Sequence, residues 1–227
     1  MKRWKGKHLY IPWISLWLIL LGMHAAVCSV LAGKTYIQGV WPVYGIFALL
    51  ILILTMLPRR FMISGLFVTG LGIVYWCWKY AERLLSDLYI LVYHINQKSQ
   101  EYIRQSLIAE KWSQPGILKG NFLLILLCVL LGLFIAFSLF RYFNRFYGVL
   151  PIFLLYCGGL MLGKAPETAA TALLVIGMAL AFLWVSEQQG SLNFAGREKI
   201  SIGDLAKRYV LAIVIISIGL SGARYYT

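Results

Sequence analysis

A succession of long apolar runs, almost free of charge inside, governs what this chain can fold into. A helix needs about 20 apolar residues to cross roughly 30 Å of hydrocarbon. Seven segments approach that length: residues 9–32, 41–57, 61–79, 119–140, 147–163, 169–186 and 208–223. In hydrocarbon every backbone N–H and C=O needs a partner within the protein, and a run that is apolar on all sides meets that need as an α-helix. The expected fold is therefore all-α: a polytopic transmembrane helix bundle of about seven spans, six being the alternative count, forming one integral membrane domain over residues 1–227. The composition agrees, with 61% hydrophobic residues, 13% charged residues and a mean hydropathy of +0.79, against about a quarter charged in soluble domains.

The short second run is expected to extend backwards through "YIQGV" and to kink at Pro42, and the seventh to be completed by Lys207 and Arg208 reaching to the interface. The basic leader "MKRWKGKH" and the small residues of "VLAG" look like a secretory signal. The apolar run between them is longer than an h-region of about 7–15 residues, so it reads as a retained first helix.

A net charge of +13 raises the question of nucleic acid. The cations sit in short clusters flanking apolar runs, where they mark topology, and no basic stripe falls on a soluble module, so nucleic acid is not an expected partner. With the N-terminus in the cytoplasm, the inside segments collect Lys2, Arg3, Lys5, Lys7, Arg59, Arg60, Arg141, Arg145, Arg197, Lys199, Lys207 and Arg208, while the short outside connections hold only Lys34 and Lys164. That bias predicts a multi-pass protein with an inside N-terminus and an outside C-terminus. Trp4, Trp13, Trp17, Trp41, Trp76, Trp78 and Trp112 are expected to form aromatic belts near span ends.

One segment breaks the apolar pattern. In residues 81–114, Leu84, Leu88, Leu91 and Ile95 recur at helical spacing, while Asp87, His94, Lys98, Glu101 and Gln105 gather on another face. Arg83 and Asp87 are spaced as an i,i+4 pair, and Pro115 and Gly116 are expected to end the helix. Its charges nearly balance, unlike a polybasic lipid-binding helix. It reads as an outward amphipathic helix whose face Asp87, His94, Lys98 and Glu101 docks an extracytoplasmic domain or protein partner, or else as a helix packed on the bundle.

Candidate chemistry is sparse. His24, in "LLGMHAAVC", is the ionisable residue well inside a span; such residues mark ion or substrate paths, or are neutral imidazoles bonded to a neighbouring helix. Cys28, Cys77, Cys128 and Cys157 all fall within spans and have no metal-ligand spacing. HExxH, GxSxG and Walker-type patterns are absent from the sequence, so neither a catalytic set, a cofactor site nor a metal site is expected. Tyr93, His94 and Asn96 lie at a depth suited to an intramembrane enzyme but form no motif. In "GGLMLG", Gly159 and Gly163 have the four-residue spacing that lets helices approach closely, within the bundle or in a homodimer, and Gly65, Thr69, Gly70 and Gly72 do the same in the third run. Residues 187–207 read as a solvated cytoplasmic connector.

The basic start with paired first helices, "LPRR" after the second run, the outward "LVYHINQ" helix and "LPIFLLYCGGLMLGKAPETAATALLVIGMAL" with its Pro-started span resemble the N-terminal membrane region of bacterial transglutaminase-like membrane proteins. The resemblance implies a bacterial cytoplasmic membrane and an extracytoplasmic domain bearing Cys, His and Asp. No catalytic residue carries over, because the cysteines here lie in spans. The chain is expected to be a portion of a longer protein or a stand-alone relative, and in either case a non-catalytic membrane anchor or scaffold. The alternative is a small transporter or permease subunit for a neutral solute.

Overall fold

The computed structural model describes residues 10–34, 37–105, 108, 112–117, 121–142 and 144–193. Their regular structure is entirely helical: α1 (Tyr10–Ala32), α2 (Trp41–Met56), α3 (Arg59–Lys79), α4 (Ala81–Ile103), α5 (Phe122–Ala136), α6 (Arg145–Met161) and α7 (Thr168–Asn193). Four of these stretches are long and apolar enough to cross a membrane: Tyr10–Ala32, Arg60–Lys79, Phe122–Arg141 and Thr168–Ser186. α2 and α6 are apolar but shorter. The expected run 208–223 lies outside the described residues.

Local chemistry sets the helix ends. Gly39 takes φ +90° and Pro42 sits in the first turn of α2, where a missing N–H costs nothing. The second run is thus neither extended backwards nor kinked at Pro42, because the left-handed turn at Gly39 stops helical continuation. Only Tyr80 separates α3 from α4. α5 opens on Asn121, whose Oδ1 accepts from Leu124 N at 2.9 Å. It closes in a π-helical turn, Phe137–Arg141, with Tyr142 N donating to Phe137 O at 3.0 Å.

α6 begins at Arg145, where the Asn144 side chain accepts from Tyr147 N. Pro151 therefore stands inside the helix instead of starting it, and its missing N–H leaves the Tyr147 carbonyl without the usual helical donor. α7 runs on to Asn193, so residues 187–193 continue a helix where a connector was expected; the Glu and Gln residues of "SEQQ" are good helix formers. Residues 194–207 lie outside the described residues.

α1 is the hub. In its most apolar stretch 78% of residues are buried, against 0% in α3, and a helix apolar all round belongs in a core. Its main partner is α7, packed antiparallel: Gly22 faces Leu174, Gly177 faces Ile19, and Ser29 Oγ accepts from Glu167 N at 3.1 Å. A Cβ added to Gly22 would stand 2.9 Å from Leu174 N, and one on Gly177 3.0 Å from Ile19 N and Ser15 O. These are backbone-to-backbone approaches. α5 joins the hub where Gly132 meets Leu20, and the Phe140 and Trp184 rings pack edge to face across α5 and α7.

Candidate functional site

Two places gather the chain's polar chemistry, one sealed inside the bundle and one layered on its end.

The inner cluster centres on His24. It is fully buried on α1; the Tyr44 hydroxyl from α2 lies 2.9 Å from its Nδ1, and Cys28 Sγ, one turn along α1, lies 3.6 Å from its Nε2. Cys128 on α5, also buried, neighbours the Tyr44 hydroxyl. Residues of three helices thus meet in one cluster, each member of which is at most 2% exposed. The described residues of α1, α2 and α5 bring no Asp, Glu or Lys to this level, and the described residues contain no group of three or more His, Cys, Asp or Glu placed to hold a metal ion.

The outer layer is α4 with the segment that returns along it. The apolar residues Leu84, Leu88, Leu91 and Ile95 are half-buried, and the most buried line on α4 is Val92, Asn96 and Ser99. α4 ends at Ile103 with Arg104 in the left-handed region at φ 59°, twelve residues before the expected stop at Pro115. Side-chain capture of the returning backbone explains the early end. Asn96 Nδ2 donates to Ile108 O at 2.8 Å while its Oδ1 accepts from Ile108 N at 3.0 Å, and Ser99 Oγ donates to Gln105 O. Further along, Gln114 N donates to Tyr89 O at 3.2 Å.

The four residues expected to form one docking face do not share a role. Asp87 Oδ2 accepts from Phe122 N at 2.6 Å, the first turn of α5, where a carboxylate offsets unpaired N–H groups and the positive helix end. Arg83 meanwhile lies 3.9 Å over the Phe122 ring, so both members of the expected Arg83–Asp87 pair bind α5. His94 Nε2 donates to Gly116 O at 2.9 Å, and its Nδ1 is buried with no partner among the described residues. Lys98 and Glu101 pair with each other at the surface. Tyr93 stands edge-on to His94, and Asn96 is committed to Ile108.

The paired glycines also separate. A Cβ on Gly159 would meet Lys164 O and Val30, so this residue packs α6 on α1. Gly163, at φ +71°, lies beyond the helix. Its N–H donates to Leu160 O and that of Lys164 to Gly159 O, the pattern of a glycine-terminated helix. Close packing within the bundle is thus found at Gly159 but not at Gly163, and the approaches to helix backbone are at Gly22 and Gly177. Each heads a small-residue pair at four-residue spacing, Gly22 with Ala26 and Gly177 with Ala181, a signal present in the sequence. Trp13 and Trp17 likewise act between helices, stacked on each other and donating to Gly45 O and Trp41 O.

Fold and sites together define an all-helical protein with helices suited to a membrane. No family model, curated protein or solved structure matches the chain, and the resemblance to transglutaminase-like membrane proteins rests on the residues quoted for it alone.

Proposed function

We propose that this chain is a multi-pass anchor and scaffold of about seven spans in a bacterial cytoplasmic membrane, presenting the α4 layer on the outer side to an extracytoplasmic module or partner. The observation that carries the reading is the way α4 and the described residues that follow it, up to Ile117, are built onto the bundle. Asp87 caps α5, Asn96 and Ser99 pin the returning segment, and His94 holds Gly116. The opposite face keeps Glu82, Gln97, Gln100 and Glu101 exposed. A pad fixed in this way holds its outer side chains in place for a partner, whereas a tether would not. The sealed His24 cluster supports the same reading, since its polar atoms bond one another. The resemblance to transglutaminase-like proteins supplies the kind of module such a pad would serve.

Sidedness tests the proposal. Cysteines introduced at Gln97 or Gln100 should react with a membrane-impermeant maleimide on intact cells, and one at Ser191 only after permeabilisation. Ser99 is unsuitable because it is buried against Gln105. Labelling of Ser191 from outside with Gln97 and Gln100 protected would overturn the reading.

A further inference from the structure

α3 stands off from the bundle, leaving an apolar slot against α2 and α5 with a volume of about 870 Å³, near the top of the roughly 300–1,000 Å³ range of ligand pockets. The slot follows α2 from Val40 to Leu57, a rise of about 26 Å at 1.5 Å per residue. Small residues of α3 keep it open: Gly72 lines the slot, and a Cβ placed there meets nothing within 4 Å.

The two ends differ in charge. At the Leu57 end, Arg141 Nη1 donates to Thr55 O at 3.0 Å and Leu57 O at 2.8 Å. Both bonds leave from one nitrogen, and the remaining guanidinium donors have no partner among the described residues. Arg60, also at this end and exposed, continues the i,i+4 line of Ser64, Val68, Gly72 and Trp76, which line the slot. α2, α3, α5 and α6 contain no Asp or Glu, so none of the helices that wall the slot or flank its mouth brings an acid to these cations. At the Trp76 end, Arg83 is accompanied by Glu82 and Asp87.

We propose that this slot binds an anionic, phosphate-bearing membrane lipid, its hydrocarbon chain lying along α3 and its phosphate held by Arg60 and Arg141. Hydrocarbon walls as long as an acyl chain meet the first requirement. A mouth with two arginines and no acid from α2, α3, α5 or α6 meets the second, because guanidinium groups bind phosphate through forked, charge-assisted hydrogen bonds. The inference does not depend on which end faces the cytoplasm, nor on the scaffold reading.

Native mass spectrometry of the full chain, released from detergent containing equal amounts of dioleoyl phosphatidylglycerol and dioleoyl phosphatidylcholine, tests it. The wild type should retain phosphatidylglycerol preferentially. Arg60→Gln should lower that preference about fivefold, the effect of removing one cation near a lipid surface. Gly72→Leu puts a side chain into open space, so it should fold with an unchanged or higher melting temperature and lose lipid retention. Equal retention of both lipids by the wild type, or full retention by Gly72→Leu, would overturn the proposal. So would efficient disulfide formation from Gly72→Cys, whether to a second copy of the chain or to cysteines placed along residues 208–223, since either result would put protein in the slot.

Discussion

A histidine in an apolar span invites a reading as a proton carrier, yet the neighbours of His24 give it a structural task. The Tyr44 hydroxyl at 2.9 Å and Cys28 Sγ at 3.6 Å occupy both ring nitrogens in a site with no measurable exposure. Removing one partner of a buried pair strands the other, at about 1–3 kcal/mol, whereas replacing both with apolar groups is much cheaper. Tyr44→Phe and His24→Leu should therefore each destabilise the protein, while the double variant should lose less than the sum. The coupling should be about 0.6 kcal/mol and no more than about 1.7 kcal/mol, as for hydrogen bonds between membrane helices. Unfolding of the wild type, both singles and the double in one detergent measures it; strict additivity would mean that the contact carries no energy. The sequence shows His24 in its apolar run but cannot name Tyr44, since that pairing depends on how α1 and α2 cross. Gly163 was legible in principle: the Lys-Ala-Pro that follows it marks a helix end, and that cue outweighs the four-residue spacing to Gly159.

Among the elements, α1 and α7 carry the bundle. Their contact is made by glycines opposed to backbone, so the helices come closer than side chains would allow. Gly177→Leu would drive a Cβ to within 3.0 Å of Ile19 N and Ser15 O. Neither backbone atom can swing aside, so the helices must separate, and the cost should reach or exceed the roughly 1–3 kcal/mol typical of overpacked cores. Gly70→Ala on α3, where an added Cβ meets nothing within 4 Å, should leave stability unchanged or raise it by up to about 1 kcal/mol from helix propensity. Melting temperatures of the two variants in detergent make the comparison, and equal losses would contradict the packing described. Hydropathy located six of these helices because the requirement to satisfy backbone groups acts on every span alike. The early end of α4 was not legible, since Asn96 and Ser99 stop it by bonding backbone that arrives from further along the chain. A helix with the same apolar stripe and no returning segment would read identically.

At the scale of the whole molecule, the question is whether the bundle moves something or holds something. Ion-coupled carriers place a charged or cation-coordinating site near mid-membrane and expose it to each side in turn. Here the His24 cluster is hydrogen-bonded across α1 and α2 with Cys128 of α5 beside it, every member is at most 2% exposed, and the described residues of those helices bring no carboxylate beside it. Opening a path to His24 would mean parting α1 from α2 or α5 and breaking the contacts that make α1 the hub. The outer layer adds a second restraint, because Asp87 and Arg83 join α4 to the start of α5 and resist rocking between them. Liposomes containing the purified chain should therefore show no uptake driven by a proton or sodium gradient, and His24→Ala should change melting behaviour without changing flux. A reproducible gradient-driven flux that His24→Ala abolishes would replace the anchor reading with that of a small transporter, and would require the α1–α2 contact to open during each cycle.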